Sequence, residues 1–168
     1  PQRVRWFHGE TQGLHLAGPA WDRFVETDGR GWEARFDEVT GTPRWMWGAG
    51  IPISGRTPDA VLDEVGALLE RHRDLLGFEA LDPGVARYDA RVDTWYVEYA
   101  PLRDGAPTWR GGISARIKHG NLILLSVRTA PRAPVGGGWS LSPEQAIGAA
   151  IAEGPAPLAV HTDRSAVV

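Results

Sequence analysis

A helix with one apolar stripe needs a flat apolar surface to lie on, and the segment 57–77 has every local sign of such a helix. Thr57 offers a hydroxyl for the N-cap, Pro58 sits at the first helical position where its missing N–H is no loss, and Asp59 places a carboxylate at the positive end of the dipole. Val61, Val65, Leu68, Leu69, His72, Leu75 and Leu76 follow at spacings of three and four, and Gly77 stands where a left-handed residue closes a helix. Asp63, Glu64, Glu70, Arg71 and Arg73 fill the opposite face, as in a helix with one side in water.

The surface that this stripe requires is written downstream. Between 95 and 127 bulky and polar residues alternate in three runs, the first two arranged around Gly105 and the last two joined by His119-Gly120-Asn121. Alternation puts Trp95, Val97, Tyr99, Trp109, Ile113, Ala115, Ile117, Ile123, Leu125 and Val127 on the face that meets the helix. The other face then carries Tyr96, Glu98, Arg110, Ser114, Arg116, Lys118, Leu122 and Leu124. A solvated sheet face seldom gathers a phenol, basic groups and two leucines, so this side is expected to meet another surface.

Upstream, 32–37 and 44–47 alternate around the turn residues Thr40-Gly41-Thr42-Pro43 and predict a hairpin ended by the glycines and prolines of 48–52; a short strand is expected at 85–89. The stretch 1–30 holds no period and reads as an irregular lead-in. Prolines and glycines at 132–139 predict a linker, and Ser142-Pro143-Glu144-Gln145 is a capping box that opens a helix in a second, truncated unit at 140–168. The expected class is α+β: an antiparallel sheet of three to four strands plus the hairpin, with the amphipathic helix on one face, over 31–131.

The chain has 168 residues, with 42% apolar and 23% charged content, enough for a real core without staples. It has no cysteine, which excludes disulfides, thiolate metal sites and cysteine nucleophiles. Its net charge of −3 gives no general attraction to nucleic acid, and no apolar run reaches the roughly 20 residues of a membrane span. The five histidines, at 8, 15, 72, 119 and 161, never share a helical face at zinc-motif spacing, so no metal is expected. Gly112-Ile113-Ser114-Ala115-Arg116 lacks the second glycine of a nucleophile elbow, and Gly48-Ala49-Gly50 is no dinucleotide fingerprint, so neither a catalytic serine nor a cofactor is expected. Of the eight tryptophans, Trp45 and Trp47 on the hairpin are candidate contact residues.

One further pattern runs through 59–151. Leu75-Leu76-Gly77, Tyr99, Gly105-Ala106-Pro107, His119-Gly120-Asn121 and the aliphatic run 122–127 follow in an order that resembles the propeptide region of secreted thermolysin-like and fungalysin-like zinc metalloproteases. Leu141-Ser142-Pro143-Glu144-Gln145-Ala146 is similar to the start of the PepSY module that follows in those propeptides. The chain departs from the family at Tyr99-Ala100-Pro101, where Phe-x-Gln is frequent. The resemblance implies a curled, cystatin-like sheet and a secreted or periplasmic, non-catalytic protein. Its expected partner is a zinc metalloprotease catalytic domain, which it would help to fold and then inhibit. The expected protease-facing residues are Tyr96, Arg110, Arg116, Lys118, Leu122 and Leu124. A free-standing extracellular binding module and a small hydrolase or lyase are the competing readings.

Overall fold

The computed structural model describes residues 18–37, 40–108 and 111–128, with positions 13, 15, 16, 142, 144, 145, 147 and 148. The chain divides into two units, Pro1–Pro131 and Arg132–Val168. In the first, helix α1 (Pro19–Thr27) leads into a hairpin of β1 (Glu33–Phe36) and β2 (Pro43–Pro52), and then come α2 (Pro58–Arg71) and a single-turn α3 (Arg73–Leu76). The strands β3 (Ala80–Leu81), β4 (Val85–Asp89), β5 (Thr94–Tyr99), β6 (Pro101–Arg103), β7 (Ala106–Pro107), β8 (Gly112–Lys118) and β9 (Asn121–Arg128) complete it. Helix and antiparallel sheet are thus combined in one unit, as an α+β class requires.

The main sheet has six strands in the order β1-β2-β9-β8-β5-β4, and every neighbouring pair is antiparallel. One of its faces holds the core. Val61, Val65, Leu68 and Leu69 of α2, Leu75 and Leu76 of α3, and Trp21 and Phe24 of α1 are buried in one cluster with Phe36, Met46, Ile51, Val97, Ile113, Ile117, Leu125 and Val127 of the strands. The apolar stripe of α2 therefore finds the surface it needs.

Local chemistry explains the ends of the helices. Thr57 Oγ1 accepts the Ala60 N–H at 3.3 Å, the predicted cap. Glu64 reaches back from α2 to accept the Ser54 N–H at 2.7 Å, the Gly55 N–H at 2.9 Å and the Ser54 hydroxyl, fixing the loop that feeds the helix. The helix does not run unbroken to Gly77. It stops at His72 (φ −113°, ψ 25°), whose imidazole turns inward to Asp28, and resumes for one turn before Gly77 at φ +72°.

The lead-in is not irregular throughout, because 19–27 is helical. Pro19 occupies its first turn, Asp22 complements the dipole, and Trp21 and Phe24 bury one edge. Gly29 then lets the chain pass the Phe24 ring, where a Cβ would stand 2.0 Å from Cε1. The hairpin is also longer than expected. Instead of ending at the glycines, β2 continues through them to Pro52, with its register to β9 shifted between Trp47 and Ile51. Gly50 takes φ +115° in that irregularity, with a virtual Cβ only 2.8 Å from that of Asn121. Gly105, expected at the turn between the long strands, belongs instead to the tip of a β6–β7 hairpin in a separate three-stranded sheet, β3-β6-β7.

In the second unit the capping box forms: Gln145 N–H donates to Ser142 Oγ at 3.3 Å and Ser142 N–H to Gln145 Oε1 at 2.7 Å, with 144–145 and 147–148 helical. The predicted linker 132–139 lies outside the described residues, as does the remainder of the lead-in up to 12.

Candidate functional site

Register across the sheet decides which side chains stand together on the face turned away from the helices. Arg87 pairs with Tyr96, Tyr96 with Arg116, Arg116 with Leu124, Leu124 with Trp47, and Trp47 with Glu33. These residues make one row across all six strands, with directly opposite Cβ atoms about 5 Å apart. Within it the Arg116 guanidinium lies 5.7 Å from the Tyr96 ring centroid, a cation–π contact. A second row of Val85, Glu98, Ser114, Ser126, Trp45 and Arg35 runs beside it, and Thr94, Lys118, Asn121 and Pro52 form a third.

Four of the six residues expected on this face are there. Tyr96 and Trp45 keep 39% and 37% of their surface exposed, Arg116 and Lys118 are exposed, and Leu124 is half-buried. Leu122 is a correction. Strand β9 bulges between Leu122 and Leu124, where consecutive β8 residues Ile117 and Arg116 pair with residues two apart, and the extra residue Ile123 turns Leu122 to the core. Leu122 is consequently 0% exposed, paired with Ile117 on one side and Ile51 on the other. Arg110 and Trp109 lie outside the described residues.

The sequence reading missed Arg87 and Val85, whose strand was expected but given no register against β5. It weighed Trp47 for contact without placing it beside Leu124. The signal was available in Val85-Ala86-Arg87-Tyr88-Asp89, where alternate positions are bulky or charged on both faces.

Among the described residues, Arg87, Arg116 and Lys118 make no ion pair. Charge on the face is mixed, since Glu33 and Glu98 stand on it beside the cations and, among the described residues, likewise make no ion pair. Asp89, at the end of β4, is already held by Arg91 at 3.0 Å, and that guanidinium keeps its carboxyl below the ordinary range. A concavity of about 320 Å³ lined by Val85, Arg87, Asp89, Tyr96 and Glu98 opens on this side. Neither family models, nor curated proteins, nor solved structures match the chain.

Other polar groups are committed to structure. Ser114 sits mid-strand between Glu98 and Ser126 and not at a strand-to-helix turn. Tyr88 donates to Asp93 Oδ1 at 2.8 Å, and His119 Nδ1 meets Asp93 Oδ2 at 2.7 Å, clamping the β4–β5 turn to the β8–β9 turn. Hydrogen bonds from His119 and then Tyr88 hold the Asp93 carboxyl low. Among the described residues no three His, Asp or Glu side chains converge in a way that could hold a metal ion.

Asp28 forms a second knot beneath the helices. It accepts from Arg71 at 2.7 Å and meets His72 Nε2 at 2.7 Å, and His72, 2% exposed, packs edge-on to Phe24 at 5.0 Å. Burial pushes the Asp28 carboxyl up, but the bonds to His72 and Arg71 outweigh it and the net shift is downward.

Proposed function

We propose that the chain is a non-catalytic, propeptide-type module that docks the open face of its sheet onto a secreted zinc metalloprotease, assists the folding of that enzyme and covers its active-site cleft. The observation that carries this reading is the row Arg87–Tyr96–Arg116–Leu124–Trp47, because it joins arginine, aromatic and aliphatic groups on a face that α2 leaves open. These residue types dominate the energetic centres of protein interfaces. Six strands about 4.8 Å apart and a seven-residue strand rising about 3.3 Å per residue define a patch of at most about 24 by 23 Å, somewhat smaller than one side of a standard interface, so the face would be the centre of a contact and not the whole of it.

The specific partner rests on the resemblance drawn from 59–151, which places the module outside the cytoplasm and reads its sheet as cystatin-like. A rigid sheet with one face committed to the core and one to contact suits a protein that shields another protein's cleft, since little ordering is needed on binding.

The test is inhibition of a thermolysin-like catalytic domain by the wild-type chain and by an Arg116→Asp/Leu124→Asp variant whose fold is checked by circular dichroism. Placing a carboxylate at each of two adjacent central positions is expected to weaken inhibition by at least about 30-fold, the equivalent of losing one interface hot spot. Unchanged inhibition by a folded variant would remove this face from the account. Failure of the wild-type chain to bind the protease would remove the protease.

A further inference from the structure

We propose that the outer edge of β4 accepts an extended segment of a partner polypeptide as a seventh strand, with a carboxylate of that segment opposite Arg87. The site is the backbone edge of the sheet, which shares Arg87 and Val85 with the open face but does not depend on the partner being a protease.

The two edges of the sheet are built differently. At one end β1 has four residues and a register shift at Arg35/Phe36, the kind of irregularity that blunts an edge. At the other end β4 pairs with β5 at all five positions without a shift, so it is a regular strand to its last residue. It contains no proline and no lysine, the usual guards of an exposed edge. Among the described residues no strand pairs with its far side, so N–H and C=O groups of alternate residues point outward without a strand partner.

Two side chains along this edge are also open to solvent. Val85 is 64% exposed, and Tyr88, on the opposite face of the strand, is 45% exposed with its ring 4.9 Å from that of Trp95. Apolar groups therefore reach the rim of the sheet on both faces, where an added strand about 4.8 Å away would cover them. On the open side its alternate residues would stand level with Val85, Arg87 and Asp89, at the lip of the 320 Å³ concavity.

Charge selects the occupant. On β4 itself Asp89 is paired with the exposed Arg91, and Arg87 is the strand's mid-point cation without an ion pair; the neighbouring Glu98 of β5 stands opposite Val85, the next pair on the same face as Arg87 and Tyr96. A carboxylate facing Arg87, with a β-branched residue facing Val85 and an aromatic or aliphatic one facing Tyr88, satisfies all three positions. A second copy of this chain fits poorly. Symmetric pairing about the middle of β4 would oppose two Arg87 guanidinium groups, and any other symmetric register leaves part of the five-residue strand unpaired.

The experiment uses the full chain with blocked eight-residue peptides of alternating valine and threonine, one carrying a central glutamate and one a central lysine. The glutamate peptide is expected to slow hydrogen exchange at β4 amides and to bind about tenfold more tightly than the lysine peptide. Arg87→Glu should reverse that order, Val85→Lys/Tyr88→Lys should abolish binding, and Arg116→Asp/Leu124→Asp should leave it intact. The proposal is overturned if no peptide slows exchange in β4, if the lysine substitutions leave binding unchanged, or if protection follows protein concentration without peptide, which would assign the edge to self-association.

Discussion

Truncating Leu122 and Leu124 separately tests the register on which the proposed docking face depends. Leu122 is 0% exposed between Ile117 and Ile51, whereas Leu124, two residues on, shares the open face with Arg116 and Trp47. A fully buried leucine cut to alanine loses its transfer free energy and leaves a cavity, at a combined cost of about 2–5 kcal/mol. For a chain of this length each kcal/mol lowers the melting temperature by about 2–4 °C, so Leu122→Ala, near 3 kcal/mol, should lower it by about 6–12 °C. Leu124→Ala leaves no enclosed cavity and should cost under about 1 kcal/mol. Urea titration of both variants, with an unchanged slope confirming that only stability has moved, measures the difference. Equal costs, or a larger cost at Leu124, would mean that β9 alternates without its bulge and that Leu122 faces outward.

Two other expectations follow from the polar knots. The Asp28 carboxyl is held below its ordinary value of 3.8, so its contribution to stability is complete above that pH and disappears as pH falls through the lower folded value. Asp28→Asn should therefore cost about 2 kcal/mol at pH 7 in chemical denaturation, with the two proteins converging in acid; a pH-independent gap would refute the assignment. Tyr99 is buried and donates to the Leu62 carbonyl at 2.6 Å, and its hydroxyl is pushed up to about 12. In an ultraviolet alkaline titration, Tyr99→Phe should remove a late ionisation near that pH and cost about 1 kcal/mol.

The parts of the fold legible in the sequence are those where one local rule acts alone. Thr57-Pro58-Asp59 announces α2 because cap, proline and dipole agree, and the β5 and β8 faces follow from strict alternation. Reading failed where a side chain or an extra residue overrode the pattern. His72 continues the apolar period of the helix but leaves helical geometry to meet Asp28, forty-four positions earlier. Ile123 looks like any strand residue, and only the pairing of its neighbours Leu122 and Leu124 with consecutive β8 residues reveals that it is the bulge. Helix α1 was hidden because Trp21 and Phe24 give barely one helical repeat, too short a window for a period to stand out. The candidate face was half legible for the same reason: Tyr96, Arg116, Lys118 and Leu124 come from alternation, whereas Arg87 and Trp47 join them only through pairing with distant strands.

The most direct measurement of the central claim, that the side of the sheet opposite α2 is the contact surface, is photo-crosslinking to a thermolysin-like catalytic domain. One protein would carry p-benzoylphenylalanine at the Tyr96 position, exposed on the open face beside Arg116, and another at the Glu70 position, exposed on α2. Covalent capture of the enzyme from position 96 and none from position 70 is the predicted result. Capture from position 70 with none from position 96 would contradict it.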